Sequence, residues 1–162
     1  MAWAESGLFV SNLIDLLSVT TAPKWLLGTN KISLYNNTAA PDFTVVSASA
    51  IYTATNEVNG TGWAAGGVLS SAAAAGATAL TPTMTQSPTK SVMGDFTNDL
   101  SVASTTLAAA YGAYIYVDSL SPKAAIMGLY FGGLGYATTA GTFAITFNVL
   151  GVWVIKCVPS GA

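Results

Sequence analysis

Histidine and arginine are absent from this chain, cysteine occurs once, and charged side chains make up only 7% of it. Each shortage excludes something. Without histidine the usual general base and the commonest transition-metal ligand are gone, so no enzymatic activity is expected. Without arginine, and with Lys24, Lys31, Lys90, Lys123 and Lys156 dispersed along a chain of net charge −2, there is no basic patch to neutralise phosphates and no side chain for the commonest base-edge contact. Nucleic acid is therefore not an expected partner. The single Cys157 cannot close an intramolecular disulfide. It runs in phase with Trp153 and Ile155, as an inert core thiol would, and the fold is not one stapled by cysteines. Glu5 stands where the cationic start of a signal peptide belongs, so none is expected. Asn36-Asn37-Thr38 and Asn59-Gly60-Thr61 then read as turns, despite matching the glycosylation pattern.

Charge is missing most conspicuously between Lys123 and Lys156, where 32 residues carry none. A helix crosses a bilayer with about 20 apolar residues, so a membrane span fits by length. The order of residues opposes it. In Thr142-Phe-Ala-Ile-Thr-Phe-Asn148 the bulky side chains fall on every second position, placing Phe143, Ile145 and Phe147 on one face of a strand. Six glycines, from Gly128 to Gly151, punctuate the run where turns or bulges belong. One lysine at each end gives no positive-inside asymmetry. Buried strands are expected, and no membrane partner.

What the chain does contain is hydrophobic residues, at 52%, and uncharged polarity from Thr, Ser and Asn. Surfaces of that kind do little to oppose association, which suits life against other protein. Its 162 residues are enough for one domain with its own core.

Residues 1–30 differ from the rest. Phe9, Val10, Leu13, Ile14, Leu16 and Leu17 recur at helical spacing, predicting a short amphipathic helix that caps the domain or docks as an arm on a neighbour. From Lys31 to the end at residue 162 the pattern is strand and turn. Strands are expected at Lys31–Asn36, Lys90–Phe96, Tyr111–Val117, Ala124–Phe131, Thr142–Asn148 and Val152–Val158, with weaker candidates at Ala48–Thr53, Trp63–Leu69 and Ala77–Thr83. Ser71–Ala75, Asp118–Lys123 and Gly132–Gly141 read as loops, and Asn148–Gly151 as a hairpin turn. Connections this short imply antiparallel pairing. The fold class expected is mainly β: an antiparallel β-sandwich or barrel-like domain with a short N-terminal helix.

Candidate chemistry is sparse. Asp95, Asn98 and Asp99 offer oxygen ligands of the kind calcium takes, but their spacing matches no EF-hand loop and the same residues form turns. Asp42 and Glu57 are not placed together by anything in the sequence. Gly60-Thr61-Gly62 and Gly66-Gly67 lack the helix and lysine of a phosphate loop. No cofactor is expected.

Two stretches go beyond a generic β-protein: Leu34-Tyr-Asn-Asn-Thr-Ala-Ala-Pro-Asp-Phe43 and Asn56-Glu-Val-Asn-Gly-Thr-Gly-Trp-Ala-Ala-Gly-Gly-Val-Leu-Ser70. Together they resemble a family of small virion proteins of tailed bacteriophages, akin to capsid decoration or cement proteins. Tyr111–Asp118 and the Gly-Thr-Phe strand Gly141–Asn148 are similar to later strands of that family. The motif positions are Tyr35, Asn36, Pro41, Asp42, Phe43, Glu57, Gly60, Gly62, Trp63, Gly66 and Gly67. Asn59 and Trp63 depart from the family's serine and tyrosine, and the segment Ser71–Lys90, rich in Ala, Pro and Thr, departs further. On physical grounds Asn59-Gly60 and Gly62 would supply positive φ to a tight turn, Trp63 would anchor the following strand, and Glu57 would accept backbone N–H groups. These are roles in holding the fold.

The resemblance implies a non-enzymatic structural protein on the outside of an icosahedral phage head, made in the host cytoplasm, with the major capsid protein as partner. It also implies a homo-oligomer, with a trimer suited to capsid axes. Candidate contacts are Trp3, Leu8 and Phe9 in the N-terminal segment, and Thr81, Pro82, Pro88 and Lys90 in an exposed loop expected over Thr81–Lys90. The competing expectations are a tail- or head-fibre module that binds the host surface and, third, a membrane-associated β-barrel subunit.

Overall fold

The computed structural model describes residues 3–11, 13–14, 30–39, 41–43, 50–69, 82–87, 91–148 and 152–156. Their architecture is mainly β and wholly antiparallel. The strands are β1 (Gly7–Leu8), β2 (Asn30–Tyr35), β3 (Glu57–Val58), β4 (Val68–Leu69), β5 (Pro82–Ser87), β6 (Ser91–Phe96), β7 (Leu100–Ala110), β8 (Gly112–Val117), β9 (Ala125–Tyr130), β10 (Tyr136–Ile145) and β11 (Trp153–Lys156). They form three sheets. The largest runs β1-β9-β8-β2-β3, with β4 also paired to β2; β10 pairs with β7; and β11-β6-β5 make the third. None closes into a barrel, because each ends on edge strands.

Period two explains the large sheet. In β2, Ile32 and Leu34 enter one apolar cluster while Tyr35 enters another on the opposite face. In β8, Ala113, Ile115 and Val117 join the first cluster, and Tyr114 and Tyr116 the second. The first cluster draws on all three sheets, with Val102 and Leu107 from β7, Phe143 and Ile145 from β10, Phe96 from β6 and Trp153 from β11. The second is aromatic. Trp3, Phe9, Tyr35 and Tyr114 pack with centroid separations from 4.5 to 6.5 Å. Both faces of the central sheet are thus covered.

Three expectations need correcting. The N-terminal helix does not form as predicted: the chain enters as β1, paired to Met127 and Gly128 of β9. Helical geometry is confined, among the described residues, to 10, 11, 13 and 14. The reason is tertiary. Phe9 donates its N–H to Ile126 and sets its ring edge-on to Tyr114, 5.5 Å away, so the start of the periodic run is pulled into the aromatic cluster. Leu16 and Leu17 lie outside the described residues. The barrel alternative also fails, since the sheets stay open. Finally, Gly132–Gly141 is not all loop: β10 begins at Tyr136, and its partner β7 went unpredicted.

β-bulges explain both omissions. On β7 the inward residues are Leu100, Val102, Thr105, Leu107 and Ala110, which step by two, three, two and three. Ser104, at φ 55°, takes up the first of the two extra residues. On β10 the matching residues are Tyr136, Thr138, Gly141, Phe143 and Ile145, with Ala140 at φ 49°. Thr105 fixes this irregular stretch: its hydroxyl lies 2.8 Å from that of Thr138 and donates to the Gly141 carbonyl at 3.1 Å.

Candidate binding surface

The motif residues are used in holding the fold, with Tyr35 and Trp63 buried and Asp42, Gly60 and Gly62 at the surface. Tyr35 is buried on β2 and donates its hydroxyl to the Thr53 carbonyl at 2.6 Å. The Asn36 carbonyl receives the Trp3 indole N–H at 3.0 Å, while its side-chain oxygen accepts from the Thr38 N–H at 2.8 Å, an Asx turn. Pro41 and Phe43 rest on Gly128 of β9, where a Cβ would stand 3.0 Å from the Phe43 ring. Asp42 is exposed.

Glu57 bridges its turn to the sheet. One carboxylate oxygen accepts the Gly66 N–H at 2.8 Å and the other the Tyr52 hydroxyl at 2.8 Å. Tyr52 stacks on Tyr116 at 4.5 Å, and Tyr116 donates to the Gly66 carbonyl. Burial, then the Glu57 hydrogen bond and charge, push the Tyr52 hydroxyl up to about 12. Lys123 lies 5.4 Å from the Tyr52 ring centre and pairs with Asp118 at 2.6 Å, while Lys31 reaches the same carboxylate at 2.8 Å. Positive φ belongs to Asn56, Gly62, Gly66 and Gly67 rather than to Asn59-Gly60. Gly60 is needed for close approach instead: a Cβ there would stand 2.2 Å from the Thr106 carbonyl oxygen. Trp63 is fully buried and meets Phe143 edge-on.

Of the candidate contact residues, Trp3 and Phe9 are buried in the aromatic cluster and Leu8 is half-buried against the main core. Pro82 is buried at the first position of edge strand β5, a place proline tolerates. Thr81, Pro88, Lys90 and Cys157 lie outside the described residues, as do Ser71–Ala75. The acidic cluster is occupied with capping: Asp95 accepts from the Phe96 N–H and Asp99 from the Phe147 N–H, each at 2.8 Å. Among the described residues no three His, Cys, Asp or Glu side chains gather as a metal site. No helix among them is long and apolar enough to cross a membrane.

A concave surface lies elsewhere, between two expected strands, with only Gly132 and Tyr136 of its lining from the segment read as a loop. A cleft of about 520 Å³ is lined by Tyr130, Phe131, Gly132, Tyr136, Phe143, Ala144, Ile145 and Thr146. A smaller one of about 190 Å³ shares its wall and adds Ser6, Leu129, Phe147, Asn148 and Val152. Phe131 makes edge contacts with Tyr136 and packs on Phe143, at 6.2 and 6.3 Å. No lining residue is charged. Beside the cleft, Leu134 and Tyr136 are 70% and 50% exposed. A surface of this make-up offers aromatic and aliphatic contacts with hydroxyl groups and no charge to pair with an ionic ligand. No protein-family model, curated protein or solved structure matches the chain.

Proposed function

We propose that this chain is a non-enzymatic structural protein of a tailed-bacteriophage virion, bound to the outside of the head, where it reinforces contacts between major capsid subunits. The observation that carries this is where the charges go. Lys31 and Lys123 share the Asp118 carboxylate, Glu57 is spent on a turn, and Asp95 and Asp99 accept backbone N–H groups. What faces outward is largely hydroxyl and apolar, including Met84, Leu134, Tyr136 and Val154. Such a surface suits permanent packing against protein; a standard interface takes about 800 Å² from each partner. The Leu34–Phe43 and Asn56–Ser70 resemblance supports the viral setting, and the sheets sharing one apolar core support a sandwich-like domain within it.

On this reading the capsid-facing side is the edge of β5, which forms the middle of the Thr81–Lys90 segment and exposes Met84, Thr85 and Gln86, and the chain is a homo-oligomer. One observation favours the fibre-module alternative: Tyr130 and Tyr136 line a cleft wide enough for a sugar ring. Quantitative mass spectrometry of purified virions separates the two. Cement is present in hundreds of copies per particle, an adhesin in few.

A further inference from the structure

Most edges of the described sheets are guarded. β1, β3 and β4 are two residues long, β5 opens on Pro82, and β11 ends at Lys156. Thr61 bridges to Thr106 on the outer side of β7. β10 is the exception: ten residues, no charge, no proline, and no described strand along its other edge.

We infer that β10 pairs antiparallel with β10 of a second copy across a two-fold axis between Ala140 and Gly141. The bulge makes this register work. In an uninterrupted strand Tyr136 and Ile145, nine positions apart, would point to opposite faces. With the bulge at Ala140, Tyr136, Thr138, Phe143 and Ile145 all sit opposite inward residues of β7. Tyr136 then faces the partner's Ile145, and Thr138 the partner's Phe143. Ala137 meets the partner's Ala144 and Thr139 the partner's Thr142 on the other face. Aromatic–β-branched and Thr–Thr pairs of this kind are favourable cross-strand neighbours, and no like charges oppose. The smallest residues, Ala140 and Gly141, fall on the axis.

The same register matches knob to hole. Tyr136, half exposed in the single chain, arrives at the partner's Ile145, in the wall shared by both clefts, twice over in a symmetric contact. This rests on the cleft being a protein-docking surface, and it fills in the homo-oligomer of the proposed function. A two-fold contact of this type gives assemblies with an even number of chains, not a lone trimer.

Sedimentation of the full-length chain tests it, together with two double variants at positions exposed in the single chain. The wild type is expected at twice the monomer mass. A137K/A144K sets lysine against lysine at both ends of the contact and is expected to run as a monomer that still melts cooperatively, without the wild type's dependence of melting temperature on concentration. A137K/A144E sets lysine against glutamate and is expected to regain the dimer in a salt-sensitive way. A monomeric wild type, a closed trimer, or an A137K/A144K protein of undiminished mass overturns the inference. None of these bears on capsid attachment, which copy number in virions reads separately.

Discussion

Trp63 and Phe143 meet edge to face, ring centroids 5.5 Å apart and planes at 74°, tying the turn of the Glu57–Gly67 motif to the strand that walls the cleft. The Trp63 indole N–H finds no hydrogen-bond partner among the described residues, so its contribution is packing. Trp63→Ala is expected to cost about 3–5 kcal/mol, and Trp63→Phe clearly less, as read from denaturant midpoints. Equal losses for the two would contradict the packing account.

Gly67 stands at φ 73° with the Ile32 carbonyl 2.1 Å from where a Cβ would be. Gly67→Ala meets a backbone oxygen that cannot swing away, and it also adds the left-handed penalty of about 1–2 kcal/mol. A fall in melting temperature is expected. Gly132→Ala, at φ 88° but in open space, should bear only the conformational part and fall less.

Replacing Glu57 by Gln removes the carboxylate that Gly66 and Tyr52 share. The loss is expected to be about 1–3 kcal/mol. Tyr52 provides a second readout, because burial and then Glu57 hold its hydroxyl up near 12. In E57Q its titration moves back toward 10, measurable by ultraviolet absorbance; an unmoved titration would contradict the assigned hydrogen bond.

Stability should fail at both ends of the pH scale for different reasons. Desolvation raises the Asp118 carboxyl, but hydrogen bonds and charge from Lys123 and Lys31 outweigh it, leaving its pKa below 3.8. Its contribution is therefore complete above that value and is lost as pH falls through the folded pKa. Burial pushes the Tyr114 hydroxyl up to about 12, and Tyr35 and Tyr116 higher still. These buried neutral phenols contribute fully below about 10, and that stability is lost as pH rises through 12. Denaturation monitored across pH should show a broad plateau between. D118N should flatten its acid edge and, because the Asp118 charge also helps hold the Tyr116 hydroxyl up, shift the alkaline edge slightly downward.

Where the side chains alternate cleanly, the fold could be read in advance. Ile32 and Leu34 against Tyr35, and Phe143 and Ile145 against their small neighbours, fall on the faces expected. β7 was invisible because a bulge at Ser104 breaks its two-residue period, and because Ser, Thr and Ala fill most of it. The start of β10 was hidden in the same way by Ala140. The cleft went unread with it: its walls at Tyr130, Phe131 and Phe143–Thr146 were expected as strands, but Tyr136, which completes it, was read as loop. The steps of three at Val102–Thr105 and Leu107–Ala110 were the available signal. The N-terminal periodicity misled because Phe9 packs outside any helix, against Tyr114 and Phe43.

The central claim is an exterior place on the capsid, and cryo-electron microscopy of purified particles tests it most directly. The account predicts density fitting the three antiparallel sheets on the outer surface of the head, repeated over symmetry-related sites and touching the major capsid protein. Density confined to the tail tip or the inner face of the shell, or none in the particle at all, would contradict it.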